Sequence, residues 1–392
     1  MTSRKIFFWL HLCCGVVAGV VIFIMAVTGS LLSFERQINV WADGHRVTPP
    51  SAHAAHLPAE TLLAGMATPP TTLVLRSDPS APAEAAYSRE RIVLLNPYTG
   101  ALLGEASRAS RQFFEVVERW HRTLGAQGEN RAFGRAVTGA SNLAFLFIVI
   151  SGPVLWWPKQ WTWSRVKPVL LFRKGLDGRA RDWNWHNVIG VWCAIPLFII
   201  VLSGVVMSYQ WANNALYRIT GNEPPAPRQG GPGGPGGRPD RGGREGRERQ
   251  DPSVAWAGLN DYWAQAEQQV PGWRSIALRL PNNPGAPLAF SIDSGNGGQP
   301  QKRATLTFNR KTGETQWETF SGSNLGRQLR TLARFSHTGE AGGMLGIVVA
   351  FLASTGAAVL ACTGIMLAVR RLYRWRQRKD AAREPVLDAQ IM

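Results

Sequence analysis

Four of the seven histidines, His11, His121, His186 and His337, stand at the ends of four long apolar runs. An ionisable side chain in or beside a run that crosses a membrane is costly to keep and points to function. Neutral imidazole is a ligand for transition metals, and two imidazoles facing each other across a helix bundle can hold one haem iron between them. Taken by level, His11 with His186 would hold one haem near one membrane face, and His121 with His337 a second near the other. Zinc is the competing metal. It usually takes three or four protein ligands, whereas each face offers two such histidines and few nearby carboxylates. His45, His53 and His56 lie in a polar, low-complexity stretch. His53 with His56 could take a surface metal, and ordinary solvation accounts for all three.

The apolar runs must position these rings, and their glycines carry a pattern. Gly15 and Gly29 follow His11 at offsets of 4 and 18, and Gly190 and Gly204 follow His186 at the same offsets. Eighteen residues are five turns of helix at ~3.6 residues per turn, so each set shares a face. Glycine there lets helices approach closely or accommodate a flat macrocycle. Gly134 and Gly152, and Gly346 and Gly364, are again eighteen apart. Gly29 and Gly204 come level with the His121–His337 site, while Gly152 and Gly364 reach towards the His11–His186 site.

Residues 109–124 have helical periodicity, with Phe114, Val117, Trp120 and His121 on one face. That helix delivers His121 to the second span, and the amphipathic stretch Leu325 to Phe335 leads to His337 and the fourth. Arg119-Trp120-His121-Arg122-Thr123 has its counterpart in Arg334-Phe335-Ser336-His337-Thr338. Strands are predicted at Thr71–Arg76 and Arg91–Leu95, then at Arg274–Leu280, Pro287–Ile292 and Ala304–Phe308. Asn96-Pro97-Tyr98-Thr99-Gly100 and Asn309-Arg310-Lys311-Thr312-Gly313 are turn sequences in corresponding places. The chain therefore reads as an internal duplication: span, small α+β module, aromatic-plus-histidine helix, span. The fold class is an α-helical integral membrane protein, a four-helix transmembrane bundle carrying two small α+β modules.

Charge sets the expected topology. The net charge of +17 could serve a nucleic-acid partner, so its distribution decides. Arg4 and Lys5, the cluster from Lys159 to Arg181, and the cluster from Arg370 to Lys379 all fall on one side of the four spans, which the positive-inside rule makes the cytoplasm. This places membrane helices over 1–35, 134–158, 186–210 and 342–370. Periplasmic modules occupy 36–133 and 211–341. A basic cytoplasmic loop spans 159–185 and a cytoplasmic tail 371–392. The first span reads as a retained anchor rather than a signal peptide. Residues 224–252 are rich in Gly, Pro and Arg with few apolar residues, and read as a disordered linker. Arg241-Gly242-Gly243-Arg244 looks like an RNA-binding box, but outside a membrane it would meet no RNA, so no nucleic-acid partner is expected. Cys13, Cys14, Cys193 and Cys362 all fall within spans, which leaves none for disulfides in the outer segments, and they read as small packing residues. Arg119, Arg122, Arg327, Arg330 and Arg334 sit on the outer side against the trend. Haem propionates, lipid headgroups or plain solvation would each account for them, with Arg119, Arg122 and Arg334 the candidate propionate partners.

A haem at each face makes an electron path across the ~30 Å hydrocarbon barrier. The chain has no credible dinucleotide or flavin fingerprint, no HExxH motif and no nucleophile-base set, so the donor is expected to be a separate reductase or a quinol.

Span one with His11 and Gly15, the stretch Trp185-His186-Asn187-Val188-Ile189-Gly190, the 96–100 turn, and the Trp120-His121 and Ser336-His337 pairs together resemble the PepSY-associated transmembrane family. Within it they look most like bacterial inner-membrane ferrisiderophore reductases of the FoxB type. The resemblance implies PepSY-like periplasmic modules, two haem b groups on the four histidines, and reduction of siderophore-bound Fe(III) at the periplasmic face to release Fe(II). Two other functions fit the same residues: a cytochrome b exchanging electrons with quinone or a redox protein, and a non-enzymatic PepSY membrane scaffold or regulator.

Overall fold

The computed structural model describes residues 2–51, 54–225, 258–281 and 286–381. His53 and most of the stretch read as a linker lie outside the described residues. In chain order the elements are α1 (Ser3–Leu32), α2 (Glu35–Asp43), α3 (Ala59–Ala64), β1 (Thr72–Arg76), β2 (Ala83–Ala86), β3 (Ile92–Leu95), β4 (Leu102–Glu105), α4 (Arg108–Thr123), α5 (Arg131–Trp156), α6 (Trp163–Leu170), α7 (Gly178–Ser208) and α8 (Gln210–Ile219). They continue with α9 (Leu259–Gln269), β5 (Ser275–Arg279), β6 (Leu288–Asp293), β7 (Arg303–Phe308), β8 (Thr315–Thr319), α10 (Leu325–His337) and α11 (Gly343–Ala381). The helices α1, α5, α7 and α11 are long and apolar enough to cross a membrane. The chain forms two compact units, one of residues 1–36, 113–212 and 332–392, the other of 37–112 and 213–331.

In the first unit α1 packs on α5 and α11, and α7 packs on the same two, so α1 stands across the bundle from α7 and α5 from α11. The centre is made of small and branched residues, Ala26, Leu197, Ala353 and Ala357, which let the backbones approach. Val17, Ile195 and Leu345 point outwards and are at least three-quarters exposed, as suits a bundle whose solvent is lipid. The two glycines that open the Gly134/Gly152 and Gly346/Gly364 pairs serve turns. A Cβ at Gly134 would overlap the Thr123 carbonyl oxygen, and one at Gly346 would overlap the carbonyl of Gly339. Only bare backbone lets the chain leave α4 or α10 and enter the next span so abruptly.

The second unit is built on a single antiparallel sheet of eight strands in the order β4-β3-β2-β1-β5-β6-β7-β8. Where two separate modules were expected, each half of the chain supplies a four-strand meander, and the two meanders join through β1 and β5, with Val74 opposite Ala277. The join follows from burial. Leu73 and Leu75 on β1 and Ile276 and Leu278 on β5 alternate inwards onto one face, where Leu62 and Leu63 of α3 and Leu259, Trp263 and Ala266 of α9 cover them. A four-strand meander with one six-residue helix would leave much of that face in water. The two Asn-to-Gly sequences form the same turn. Asn96 Oδ1 accepts from the Tyr98 and Thr99 amides and Asn309 Oδ1 from those of Lys311 and Thr312, while Gly100 and Gly313 both take φ of 73°.

Strand β2, Ala83-Glu84-Ala85-Ala86, was not expected, because alanine has little strand preference. It is held by pairing with β1 and β3 on either side. The short helices α2, α6 and α8 were likewise unanticipated.

Candidate functional site

All four span-end histidines lie in the first unit, and each turns Nδ1 to a hydroxyl on a neighbouring span. His11 on α1 places Nδ1 2.8 Å from Ser151 Oγ on α5. His121, near the end of α4, places Nδ1 3.0 Å from Thr28 Oγ1 and 3.0 Å from the Met25 carbonyl, both on α1. His186 on α7 stands 3.0 Å from Thr363 Oγ1 on α11. His337, the last residue of α10, stands 3.2 Å from Ser203 Oγ and 2.8 Å from the Ile200 carbonyl, both on α7. A carbonyl can only accept, so Nδ1 of His121 and His337 carries the proton and donates it. Their Nε2 atoms keep the lone pair that a metal ligand needs.

The structure brings His121 and His337 together. The rings of His121 and His337 lie 6.3 Å apart, centre to centre, with an angle of 64° between their planes. A metal–imidazole bond is ~2.0–2.1 Å long, so rings at this separation are close enough that both would reach one metal. His11 on α1 and His186 on α7 stand on helices that face each other across the bundle, each bonded to a hydroxyl of a flanking span. On α1, seventeen residues separate His11 from Thr28, the partner of His121. At ~1.5 Å per residue the two pairs are ~26 Å apart along the helix.

Burial pushes the pKa of His121 down to about 4, with repulsion from His337 as the next cause. Burial lowers His337 as well. Both rings are therefore neutral at pH 7, as metal ligation requires. Among the described residues no group of three or more His, Cys, Asp or Glu side chains could hold a metal ion.

The glycines divide into three kinds. A Cβ at Gly29 would meet His121 Cε1 at 3.3 Å, one at Gly204 would meet His337 Cε1 at 3.3 Å, and one at Gly364 would meet His186 Cε1 at 3.3 Å. These three leave room for the rings. Gly15 and Gly152 have nothing within 4 Å of a Cβ, and Gly190 meets only Leu360 at an ordinary 3.7 Å. Gly134 and Gly346 serve the turns already described. The arginines are placed on partners of their own helices: Arg119 lies 3.3 Å from Glu115, Arg122 lies 2.9 Å from Glu118, and the Arg334 guanidinium lies 5.3 Å from the centre of the Phe335 ring.

Two sets of residues were not singled out from the sequence. The first is the hydroxyls. Each histidine's partner is the residue before a glycine, in Thr28-Gly29, Ser151-Gly152, Ser203-Gly204 and Thr363-Gly364. A hydroxyl-glycine dipeptide in all four spans was the available signal. The second is Asp182, one turn before His186, which is 4% exposed and lies 3.1 Å from Arg181 and 3.3 Å from Arg370. It ties α7 to α11 through a buried charge. The position one turn before His11 holds Phe7.

A family model described as the PepSY-associated TM region matches residues 8–371, nearly the whole chain. No curated protein matches the sequence.

Proposed function

The chain belongs to the PepSY-associated transmembrane family, and from that footing we propose that it is a transmembrane electron-transfer protein with two haem b groups that reduces ferric siderophores. One observation carries the proposal: four imidazoles at two levels of one bundle, each with Nδ1 engaged by a neighbouring span. His11 and His186 would hold one haem, and His121 and His337 the other. The 6.3 Å ring separation of His121 and His337 would let both rings hold one haem iron. Bound there, haem supplies one-electron chemistry.

The chain's own residues supply orientation, insulation and access. The spans keep water from the path between the two pairs, and the hydroxyls and carbonyls hold the ligand rings in place. By the distribution of Lys and Arg, both termini and the His11–His186 end face the cytoplasm of a bacterial inner membrane, and the His121–His337 end faces the periplasm. The exposed pairs made by Arg119 and Arg122 are worth only ~0.3–0.5 kcal/mol each, so these cations exchange readily to a carboxylate of the cofactor or of an anionic chelate. A separate reductase or quinol gives one electron at the cytoplasmic end, and Fe(III) in the chelate takes one at the periplasmic end. The resulting Fe(II) binds hard oxygen donors more weakly and is released.

The test is the visible spectrum of the detergent-purified chain, oxidised and then reduced with dithionite, with haem extracted and counted. Two low-spin b-type haems per chain, reoxidised on adding a ferric siderophore, are expected. A chain without haem, made in cells supplied with haem precursor, overturns the proposal and returns the scaffold reading. Two haems that a ferric siderophore cannot reoxidise overturn the substrate alone.

A further inference from the structure

We infer that Thr28, Ser151, Ser203 and Thr363 are positioning residues that hold the four histidines in one tautomer, and that Ser151 is the one its site depends on most. This rests on the haem-binding reading above.

Each hydroxyl gives its proton back to its own helix. Thr28 Oγ1 donates to the Ile24 carbonyl at 2.6 Å, Ser151 Oγ to Ile148 at 3.2 Å, Ser203 Oγ to Ile200 at 2.8 Å and Thr363 Oγ1 to Val359 at 2.8 Å. A hydroxyl has one proton and two lone pairs. With the proton committed, what faces each imidazole is a lone pair, and the bond at Nδ1 must be donated by the ring. All four histidines therefore carry the proton on Nδ1 and leave Nε2 bare. The glycine that follows each hydroxyl serves the same end at three sites, since a side chain at Gly29, Gly204 or Gly364 would press on the ring its neighbour holds.

The four arrangements are not equally secure. The Met25 carbonyl is a second acceptor for His121 and the Ile200 carbonyl for His337, and the Leu360 carbonyl approaches the His186 ring. Among the described residues, Ser151 is the sole acceptor for Nδ1 of His11, and it is fully buried at 0% exposure. Removing its hydroxyl leaves an N–H without a partner in apolar surroundings. The ring then gains by moving the proton to Nε2, which cannot ligate while protonated. Thr28→Val or Ser203→Ala leaves a carbonyl to hold the proton where it was.

The experiment compares Ser151→Ala, Ser151→Thr and Thr28→Val in the full-length chain. With haem bound, Ser151→Ala is expected to weaken retention at one site about 10- to 100-fold, the range for loss of a group that orients a metal ligand. It should also raise the reduction potential of that haem, because a less basic imidazole stabilises Fe(III) less. Ser151→Thr should restore both, and Thr28→Val should change its own site less than Ser151→Ala changes the other. Haem-free chain labelled with 15N-histidine gives a readout independent of activity. Four Nδ1–H tautomers are expected in the wild type, with His11 alone altered in Ser151→Ala. The haem at the opposite end reports folding. Should Ser151→Ala fail to accumulate, Ser151→Cys, whose thiol accepts hydrogen bonds weakly, carries the same comparison. Unchanged potential, retention and tautomer in the variant overturn the inference and leave the haem reading standing. A wild type that binds no haem removes that reading, and the tautomer measurement then decides the inference by itself.

Discussion

His121 and His337 reach the bundle from α4 and α10, amphipathic helices outside the apolar spans, whereas His11 and His186 are residues of the spans α1 and α7. The first pair depends on two tight turns, at Gly134 and Gly346, to bring its rings to α1 and α7. The second pair needs no turn, because it moves with the helices that carry it. The first has a hydroxyl and a carbonyl for each ring; in the second, His11 has a hydroxyl alone. A buried carboxylate, Asp182, stands beside the second pair and has no equivalent before His11. The same bonded imidazole can thus be reached by local helix geometry or by tertiary docking. The docked version carries more restraints because it has more freedom to remove.

The largest separation between the two ends should come from His337→Ala. It is expected to lose one haem of two, together with ferric-chelate reduction, while the His11–His186 haem keeps its spectrum; retention of both haems with full reductase activity would break the comparison. Next are the glycines. At Gly204 a side chain meets Asn142 Nδ2 at 3.0 Å and His337 Cε1 at 3.3 Å, whereas at Gly15 it meets nothing within 4 Å. Overpacking costs ~1–3 kcal/mol, so Gly204→Val should weaken haem retention at its end about 10- to 100-fold, and Gly15→Ala should be tolerated. Counting haem per chain after dialysis checks both.

The smallest effect expected is the response of haem-free chain to acid. His121 titrates from 6.5 in the unfolded chain to about 4 when folded. Between those values the unfolded chain binds a proton that the folded chain excludes, so stability falls as pH drops through that window and is insensitive above it. Thermal melts from pH 7 to pH 4 should show the loss, and His121→Phe should remove part of it. A variant as acid-sensitive as the wild type would place the titration elsewhere.

The spans, the histidines at their ends and the twin Asn-to-Gly turns were legible in the sequence because each rests on local periodicity or on a short backbone requirement. His11, Gly15 and Gly29 lie on one helix, so their spacing alone puts them on a face. The eightfold sheet was not legible, because strand pairing between β1 and β5 joins segments some two hundred residues apart. Nor was β2, whose alanines become a strand only between two partners.

Spacing also could not distinguish glycines with different duties. Gly134, Gly152, Gly346 and Gly364 carry the same eighteen-residue signature, yet two relieve turns, one faces a histidine and one touches nothing. The sequence by itself determined which residue types stand at which level of each helix, since helical rise and periodicity are local properties. The tertiary structure alone decided which hydroxyl meets which imidazole and which nitrogen keeps its proton, because those bonds form between helices and depend on how neighbouring spans are packed.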